Sequence, residues 1–433
     1  MVRRLLFVIC LIIFVLPTMV SAEQVDDNKY YKLEKVLILS RHNIRAPLSG
    51  NDSILSKITT HKWYEWISAP SELSLRGGEL ETLMGQYFRQ WLVKEGFMTE
   101  NYIPKEGEFL FYANSKQRTV ATAQYFSSGM LPIANVKIEH KFAVEGSDPV
   151  FSPRFRFMNE TFRTEAIKQI NEMGGADGLK GIGESLKNDY KILEKVLNIN
   201  KSEYAKTNDF KGFKTDDTEM ILELHKQPAV SGSLKLASQA SDALILQCYE
   251  EPSAIKAAFN NRLSVKEWEQ IGHIKDVYYD VLFTAPIVAV SVAHPLLEVM
   301  NDELAIKNRK FTFLCGHDSN ISSVLAALDV EDYSLPNTIE KKTPIGSKVV
   351  IQKWLGKDGL EYVSLNLVYQ STDQMRNRTM LTLKTPPMSY PLKLKGLSQN
   401  ADGLYKFSDL QHRFKEAIFA YDELPGYIVN EAA

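Results

Sequence analysis

The stretch VLILSRHNIRAP, residues 36–47, ends an apolar run in a histidine that lies between two arginines. The apolar run has the composition of a buried parallel strand and is too short for a helix. Ligands of open α/β sheets bind just beyond the carboxyl ends of such strands, where Arg41, His42 and Arg45 fall. Arginine forks fit phosphate oxygens, and histidine is a nucleophile near neutral pH. The stretch predicts an α/β phosphoryl-transfer site, and a strand with chance surface residues is the alternative.

A second segment repeats this arrangement of a strand, a polar turn and a helix. Residues 109–113 (FLFYA) read as a strand, and either Asn114 or Ser115 can cap the helix that follows. This places Arg118 in the first helical turn, where the helix dipole and the free N–H groups favour anions. By itself Arg118 also fits a solvated first-turn residue.

A third segment has the same form. Residues 311–315 (FTFLC) read as a strand, the turn carries His317 and Asp318, and residues 321–328 read as a helix. An alkoxide is a poor leaving group, so a positioned acid such as Asp318 would have to give it a proton. Helix capping by Asp318 or Ser319 is the alternative, and both interpretations can hold together.

The pattern Arg-His-x-x-Arg-x-Pro and the later His-Asp pair resemble the histidine acid phosphatases, the acid phosphatase and phytase branch of the histidine phosphatase superfamily. The segments SRHNIRAPLSGNDSIL, KWYEW, TPIGSKVVIQKW and VYQS resemble most the bacterial periplasmic glucose-1-phosphatase group of that family. The resemblance covers nearly all of the mature chain and is weakest in residues 153–218. It implies a phosphoglycerate-mutase-like three-layer α/β domain with a mainly parallel central sheet, plus an inserted α-helical domain.

The same resemblance implies roles for individual residues. His42 would attack phosphorus, and Asp318, protonated, would donate to the ester oxygen. The phosphoryl charge would be carried by Arg41, Arg45, Arg118 and His317. Nearby cations would also keep His42 neutral below its usual pKa. We therefore expect an acidic working range, limited below by protonation of His42 and above by loss of the proton on Asp318. No cofactor or metal is expected, since the other histidines lack ligand spacing.

Substrate choice depends on fewer residues. Glu250, at the end of DALILQCYEE, matches a glutamate that meets sugar hydroxyls in the glucose-1-phosphatase group and would repel highly phosphorylated inositols. The alternative is a solvated glutamate at a helix end. We expect a phosphomonoesterase that hydrolyses sugar phosphates such as glucose 1-phosphate through a phosphohistidine. The alternatives are a phytase or broad acid phosphatase, and a non-catalytic sugar-phosphate binding protein.

Composition and hydrophobic periodicity divide the chain into three parts. Residues 1–22 have the charged start, apolar run and small-residue cleavage site of a signal peptide. Helical periodicity dominates from about residue 153, with candidate helices that include 162–173, 184–197, 233–249 and 265–283. This predicts an α-helical insertion at 153–284 between the two parts of an α/β catalytic domain, 23–152 and 285–433. Residues 343–346, 348–355 and 362–369 read as antiparallel strands. The expected location is the periplasm.

Composition limits the partners. Removing Arg3 and Arg4 with the signal peptide changes the formal net charge from −2 to −4, and no basic stripe indicates nucleic-acid binding. The expected partners are small phosphate monoesters, with no stable membrane insertion after cleavage, in a monomer or homodimer. Of the three cysteines, Cys248 and Cys315 remain; one bridge is possible, and Cys315 reads as a buried free thiol.

Overall fold

The computed structural model describes residues 29–48, 53–142 and 147–424, and the predicted signal peptide lies outside this part of the chain. The strands are β1 (Tyr31–Arg41), β2 (Phe109–Ala113), β3 (Met220–Ile221), β4 (Ala229–Val230), β5 (Phe311–Gly316), β6 (Lys348–Gly356), β7 (Glu361–Tyr369), β8 (Met388–Pro391) and β9 (Tyr405–Lys406).

The helices alternate with these strands and then dominate the middle of the chain. They are α1 (Ile54–Lys57), α2 (Leu75–Lys94), α3 (Gln117–Met130), α4 (Glu160–Glu172), α5 (Gly178–Ser185), α6 (Lys187–Leu197), α7 (Glu203–Thr207), α8 (Gly232–Glu250), α9 (Ala254–Ala257), α10 (Val265–Phe283), α11 (Pro286–Ala305), α12 (Asp318–Ala327), α13 (Thr372–Asn377) and α14 (Phe407–Asp422).

One sheet of the order β2-β5-β1-β6-β7-β8 holds the fold together, with β9 paired to β7. Strands β2, β5 and β1 are parallel, and their last residues lie level, because Ala113 pairs with Cys315 and Arg41 pairs with Gly316. The pairs beyond β1 are antiparallel, as expected for residues 348–355 and 362–369. The α/β class is confirmed, and the sheet is mixed, with its three parallel strands, β2, β5 and β1, side by side at one end of the strand order.

The alternation of side chains along β1 builds a layer of helices on each face of the sheet. Ile38 packs into one core with residues of α2 and α3, whereas Leu37 and Leu39 pack into another with residues of α11, α12 and α14. All three side chains are at most 1 % exposed. The fully apolar run thus reflects a strand that is covered on both faces.

The helical texture after residue 153 is confirmed by α4 to α11, and α10 has the predicted bounds. A single helix was predicted from Glu184 to Leu197, but two helices, α5 and α6, meet there. At the junction the Leu186 N–H donates to the Gly183 carbonyl, three residues back rather than four. The division into domains at residues 153 and 284 stays a prediction.

Two local predictions were wrong. Residues 343–346 form a turn instead of a strand, since Gly346 has a φ of +73° and β6 begins only at Lys348. The N-cap of α3 is Lys116, without a side-chain cap bond, rather than Asn114 or Ser115. Asn114 is unavailable as a cap because its side chain contacts His317.

Two further features bear on the earlier expectations. Cys248 and Cys315 are both buried free thiols, as predicted for Cys315. In the described residues no single helix is long and apolar enough to cross a membrane. Helices α10 and α11 reach that length and composition only together, and they are bent by 84° where they meet.

Candidate active site

His42 is the first residue after β1, and the backbone holds it firmly. Its N–H donates to the Gly316 carbonyl at 3.0 Å. Its ring Nδ1 lies 2.8 Å from the Asn43 carbonyl oxygen, which can only accept a hydrogen bond. Nδ1 therefore carries the ring proton in the neutral imidazole, and Nε2 keeps a free lone pair. The imidazole lines a cavity although the residue is only 2 % exposed.

Burial and the surrounding cations lower the pKa of His42 well below its ordinary value. Burial is the largest cause, followed by Arg118 and His317. Both effects disfavour the imidazolium, because the charged form loses hydration and gains repulsion. The imidazole therefore stays neutral and nucleophilic at mildly acidic pH, as the sequence predicted.

Two arginines present unused donors beside His42. Arg45 donates from Nη2 to the Asp242 carboxylate at 2.9 Å and from Nη1 to the Ala46 carbonyl. The Nε of Arg45 is buried without a hydrogen-bond partner. The Nε of Arg118 is likewise buried and unpartnered, and burial, then Arg45, lowers the pKa of Arg118 to about 10. Buried donors without acceptors are costly, so these two groups fit an anion that supplies the missing oxygens.

His317 occupies the facing wall, with its ring centre 5.4 Å from that of His42. Asn114 donates from its amide nitrogen to His317 Nε2 at 2.8 Å, while its amide oxygen accepts from the Asp148 N–H at 3.0 Å. The amide orientation is therefore fixed by its partners, and Nδ1 of His317 carries the proton in the neutral ring. Burial and Arg118 lower the pKa of His317 well below its usual range.

Arg41 lies beneath the cavity, and its side chain is fully buried. Nη2 is 3.0 Å from Asp318, and Nη1 donates to Glu340 at 2.7 Å and to the Thr343 carbonyl at 2.6 Å. Within the described residues, Nε and Nη2 make no hydrogen bond, and Nη2 has Asp318 as its ion-pair partner. Arg41 is thus positioned under the predicted acid, and its direct contact with phosphate stays a prediction.

Asp318 sits among cations. Its Oδ2 is 3.0 Å from Arg41 and 3.5 Å from Lys275 of α10, and its Oδ1 accepts from the Ser319 N–H at 3.0 Å. Burial by itself would raise the pKa of Asp318, but Arg41 and Lys275 outweigh it and hold that pKa below its usual range. The carboxyl group is therefore ionised at mildly acidic pH. To act as the acid, Asp318 therefore has to gain its proton when the substrate binds, and its role as proton donor stays a prediction.

The cavity has a volume of about 260 Å³ and collects the three strand ends and the helices α3, α10 and α12. It is lined by His42, Arg45, Leu48, Asn114, Lys116, Arg118, Ser147, Phe151, Pro153, Gln227, Pro228, Tyr278, Tyr279, Leu282, Phe283, His317, Asp318 and Ser319. Its floor is cationic and its α10 side is largely aromatic and apolar. The cationic floor suits a phosphate group, and the α10 side suits the organic part of a small phosphate ester.

Glu250 is not among the residues that line the cavity. It is the last residue of α8, and its carboxylate accepts from the Ser74 hydroxyl at 2.8 Å, at the start of α2. Burial raises the pKa of Glu250. The structure therefore does not bring Glu250 to the phosphate-binding residues, and its carboxylate instead binds Ser74, the N-cap residue of α2.

Three charged residues near the site were missed from the sequence. Lys275 Nζ lies 3.2 Å from Asp242 and 3.0 Å from Glu340, which also binds Arg41. Lys275 and Asp242 lie within helices of ordinary amphipathic pattern, and Glu340 lies in a loop. No local signal separates them from surface charges, and only the tertiary fold brings them together.

The geometry defines a class of protein: an α/β enzyme in which a neutral histidine and buried arginines face a small cavity, as phosphoryl transfer through histidine requires. A family model described as histidine phosphatase superfamily (branch 2) matches residues 32–368. The chain belongs to this family and is a histidine-type phosphatase.

Named relatives agree with this assignment. A glucose-1-phosphatase of Providencia rettgeri is 36% identical over 93% of this chain and 95% of that protein. A glucose-1-phosphatase of Salmonella typhimurium is 35% identical over 88% of this chain and 92% of its own length. Among solved structures, a phytase from Citrobacter braakii superposes with a TM-score of 0.81 at 27% identity, over 89% of this chain and 98% of that chain.

Proposed function

We propose that this protein hydrolyses glucose 1-phosphate and similar sugar phosphates through a phosphohistidine formed on His42. The observation that carries the proposal is the free Nε2 lone pair of His42 beside the unpartnered, buried Nε donors of Arg45 and Arg118. The two glucose-1-phosphatases described above support the choice of substrate.

In the first step Nε2 of His42 attacks phosphorus, so that an N–P bond forms and the ester P–O bond breaks. Arg45, Arg118 and His317 carry the charge of the transferred group, and the alcohol leaves with a proton. In the second step water attacks phosphorus and the N–P bond breaks, which returns neutral His42 and releases inorganic phosphate. Positioning and electrostatic stabilisation supply most of such catalysis.

Asp318 is the proposed source of the leaving-group proton, although it is ionised among the protein groups alone. A bound phosphoryl group adds negative charge beside Arg45 and Arg118. This charge offsets the cations that lower the pKa of Asp318 and so raises it. We infer that Asp318 takes up its proton together with the substrate, which at mildly acidic pH enters partly as the singly protonated ester.

The alternative substrate is phytate. Phytase AppA of Escherichia coli is 26% identical over 89% of this chain, so the relatives include both activities. Because Glu250 accepts from Ser74 outside the cavity, its carboxylate gives no reason to exclude a polyphosphate. The choice of a monosaccharide phosphate over phytate rests on the two glucose-1-phosphatase relatives, which are more similar to this chain than the phytase is.

The deciding experiment measures phosphate release at mildly acidic pH, without added metal, from glucose 1-phosphate and from phytate in parallel. We expect a strong preference for glucose 1-phosphate and complete loss in a folded His42→Ala variant. Efficient stepwise release from phytate would reassign the substrate. Tight binding of glucose 1-phosphate without release would favour the sugar-phosphate binding protein.

We also propose export to the periplasm with cleavage after residue 22. The predicted signal peptide supports this location. N-terminal sequencing of the protein from a periplasmic extract would test it: the mature chain should begin at Glu23.

A further inference from the structure

Behind His42, on the side away from the cavity, lies a second group of polar residues that the phosphatase chemistry does not use. Glu81 of α2 and Lys348 of β6 form an ion pair of 2.6 Å, and neither side chain is exposed. Removing two charges from water is expensive, and apolar residues in their place are often as stable. Fold stability alone is therefore a weak reason for this pair.

Asn43 connects the ion pair to the nucleophile. Its amide nitrogen donates to Glu81 Oε2 at 2.8 Å, its amide oxygen accepts from the Ile44 N–H at 2.9 Å, and its backbone N–H donates to the Thr122 hydroxyl at 3.1 Å. The remaining polar atom, the carbonyl oxygen, accepts from Nδ1 of His42 at 2.8 Å. Each polar atom of Asn43 therefore has a hydrogen-bond partner, and these bonds fix the direction in which the Asn43 carbonyl points.

Lys348 ties the same group to the neighbouring backbone. Its Nζ donates to the Gly346 carbonyl at 3.0 Å and to the Ser40 hydroxyl at 3.2 Å. Gly346 has a φ of +73°, and a Cβ there would come within 2.6 Å of the Asn43 amide nitrogen. The Gly346 N–H donates to the His42 carbonyl at 3.2 Å. Lys348 therefore holds Gly346, whose N–H binds the His42 carbonyl, and the hydroxyl of Ser40, two residues before His42.

We propose that Asn43, Glu81 and Lys348 form an anchor that positions His42 for attack and selects its tautomer. The Glu81 carboxylate orients the Asn43 amide, and Lys348 balances the charge of Glu81. The Asn43 carbonyl then holds the proton on Nδ1 and leaves Nε2 free toward phosphorus. None of the three lines the cavity, so they are positioning residues that act through His42. The inference rests on the proposed function, in which Nε2 is the nucleophile.

Two double variants of the full chain separate positioning from folding. Glu81→Gln with Lys348→Met removes both charges but keeps an oxygen that accepts from Asn43. Glu81→Leu with Lys348→Met removes the charges and that oxygen as well. We expect kcat to fall about 10- to 100-fold further in the second variant than in the first, because only the second removes the oxygen that orients Asn43 and small misplacements of a reacting group cost about this much. KM should change little, since the arginines are untouched.

Asn43→Ala is a third variant with the same expected loss of kcat, and it leaves the ion pair intact. Nitrogen-15 NMR of labelled histidine gives a readout that does not need activity, with the His42 signal identified by its absence in His42→Ala. Wild type should show the Nδ1–H tautomer, and Asn43→Ala should show a mixture of both tautomers. Equal kcat in the two double variants, or one unchanged tautomer in Asn43→Ala, would overturn the anchor. Failure of the proposed function would instead appear as absence of turnover in wild type.

Discussion

At the scale of the residue, Asp318 gives the sharpest test of the chemistry. We expect Asp318→Asn to lower kcat for glucose 1-phosphate by about 10² to 10⁴, because a sugar alkoxide leaves poorly without a proton. With p-nitrophenyl phosphate the loss should be far smaller, since nitrophenolate leaves unprotonated. Comparing the two esters on the same variant controls for any disturbance of Arg41 and Lys275. Equal losses on both esters would mean that Asp318 holds the site together instead of donating a proton.

The pH profile tests His42 separately. Burial, Arg118 and His317 lower the pKa of His42, so protonation inactivates the nucleophile only well below pH 6.5. We expect kcat/KM for p-nitrophenyl phosphate to show its acid limb well below that value. Arg118→Gln removes the largest cationic cause, so the acid limb should move to higher pH as KM rises. A limb centred near pH 6.5 in wild type would contradict a lowered pKa.

At the scale of the element, α10 ties the helical region to the strand ends through Lys275. This lysine is 3 % exposed and lies within 3.5 Å of carboxylates of Asp242, Asp318 and Glu340. We expect Lys275→Met to lower the free energy of unfolding by about 3–5 kcal/mol, since it leaves buried carboxylates less compensated. Chemical denaturation gives the measurement, and Lys266→Met, on an exposed position of the same helix, is the control. Similar stability of both variants would refute this role of Lys275.

The strand ends and helix α10 differ in how well the sequence predicts their functional residues. The ends of the parallel strands can be recognised in the sequence, because a buried apolar run such as residues 36–39 is followed within three residues by Arg41 and His42. Strand β5, which ends just before His317, carries the same signal. The parallel pairing of β1 with β5 places the ends of these two strands side by side. Lys275 carries no such signal, since one charge in a long helix looks like a solvated residue until the fold surrounds it. Glu250 is the reverse case, a motif match whose carboxylate accepts from Ser74 and does not line the cavity, so its contact with substrate stays a prediction.

At the scale of the whole molecule, the buried charges make stability depend on pH in opposing directions. Asp318, Asp242 and Glu340 have lowered pKa values, so their contribution is present above about pH 4 and is lost as pH falls. The lowered pKa values of His42 and His317 act in the same direction below about pH 6.5. All five groups therefore make the folded state less stable in acid.

Asp276 of α10 acts in the opposite direction. Burial raises its pKa to about 7, even though its carboxylate accepts from the Lys341 N–H at 2.8 Å. Between about pH 4 and pH 7 the folded state then holds a proton that the unfolded state has lost, so stability falls as pH rises through that window. Asp276→Asn keeps an oxygen for Lys341 and cannot ionise. We expect its melting temperature, relative to wild type, to rise steadily from pH 4 to pH 7 and then to level off. Taking the difference between the two proteins cancels the other titrating groups, so a difference that stays constant with pH would show that Asp276 ionises normally.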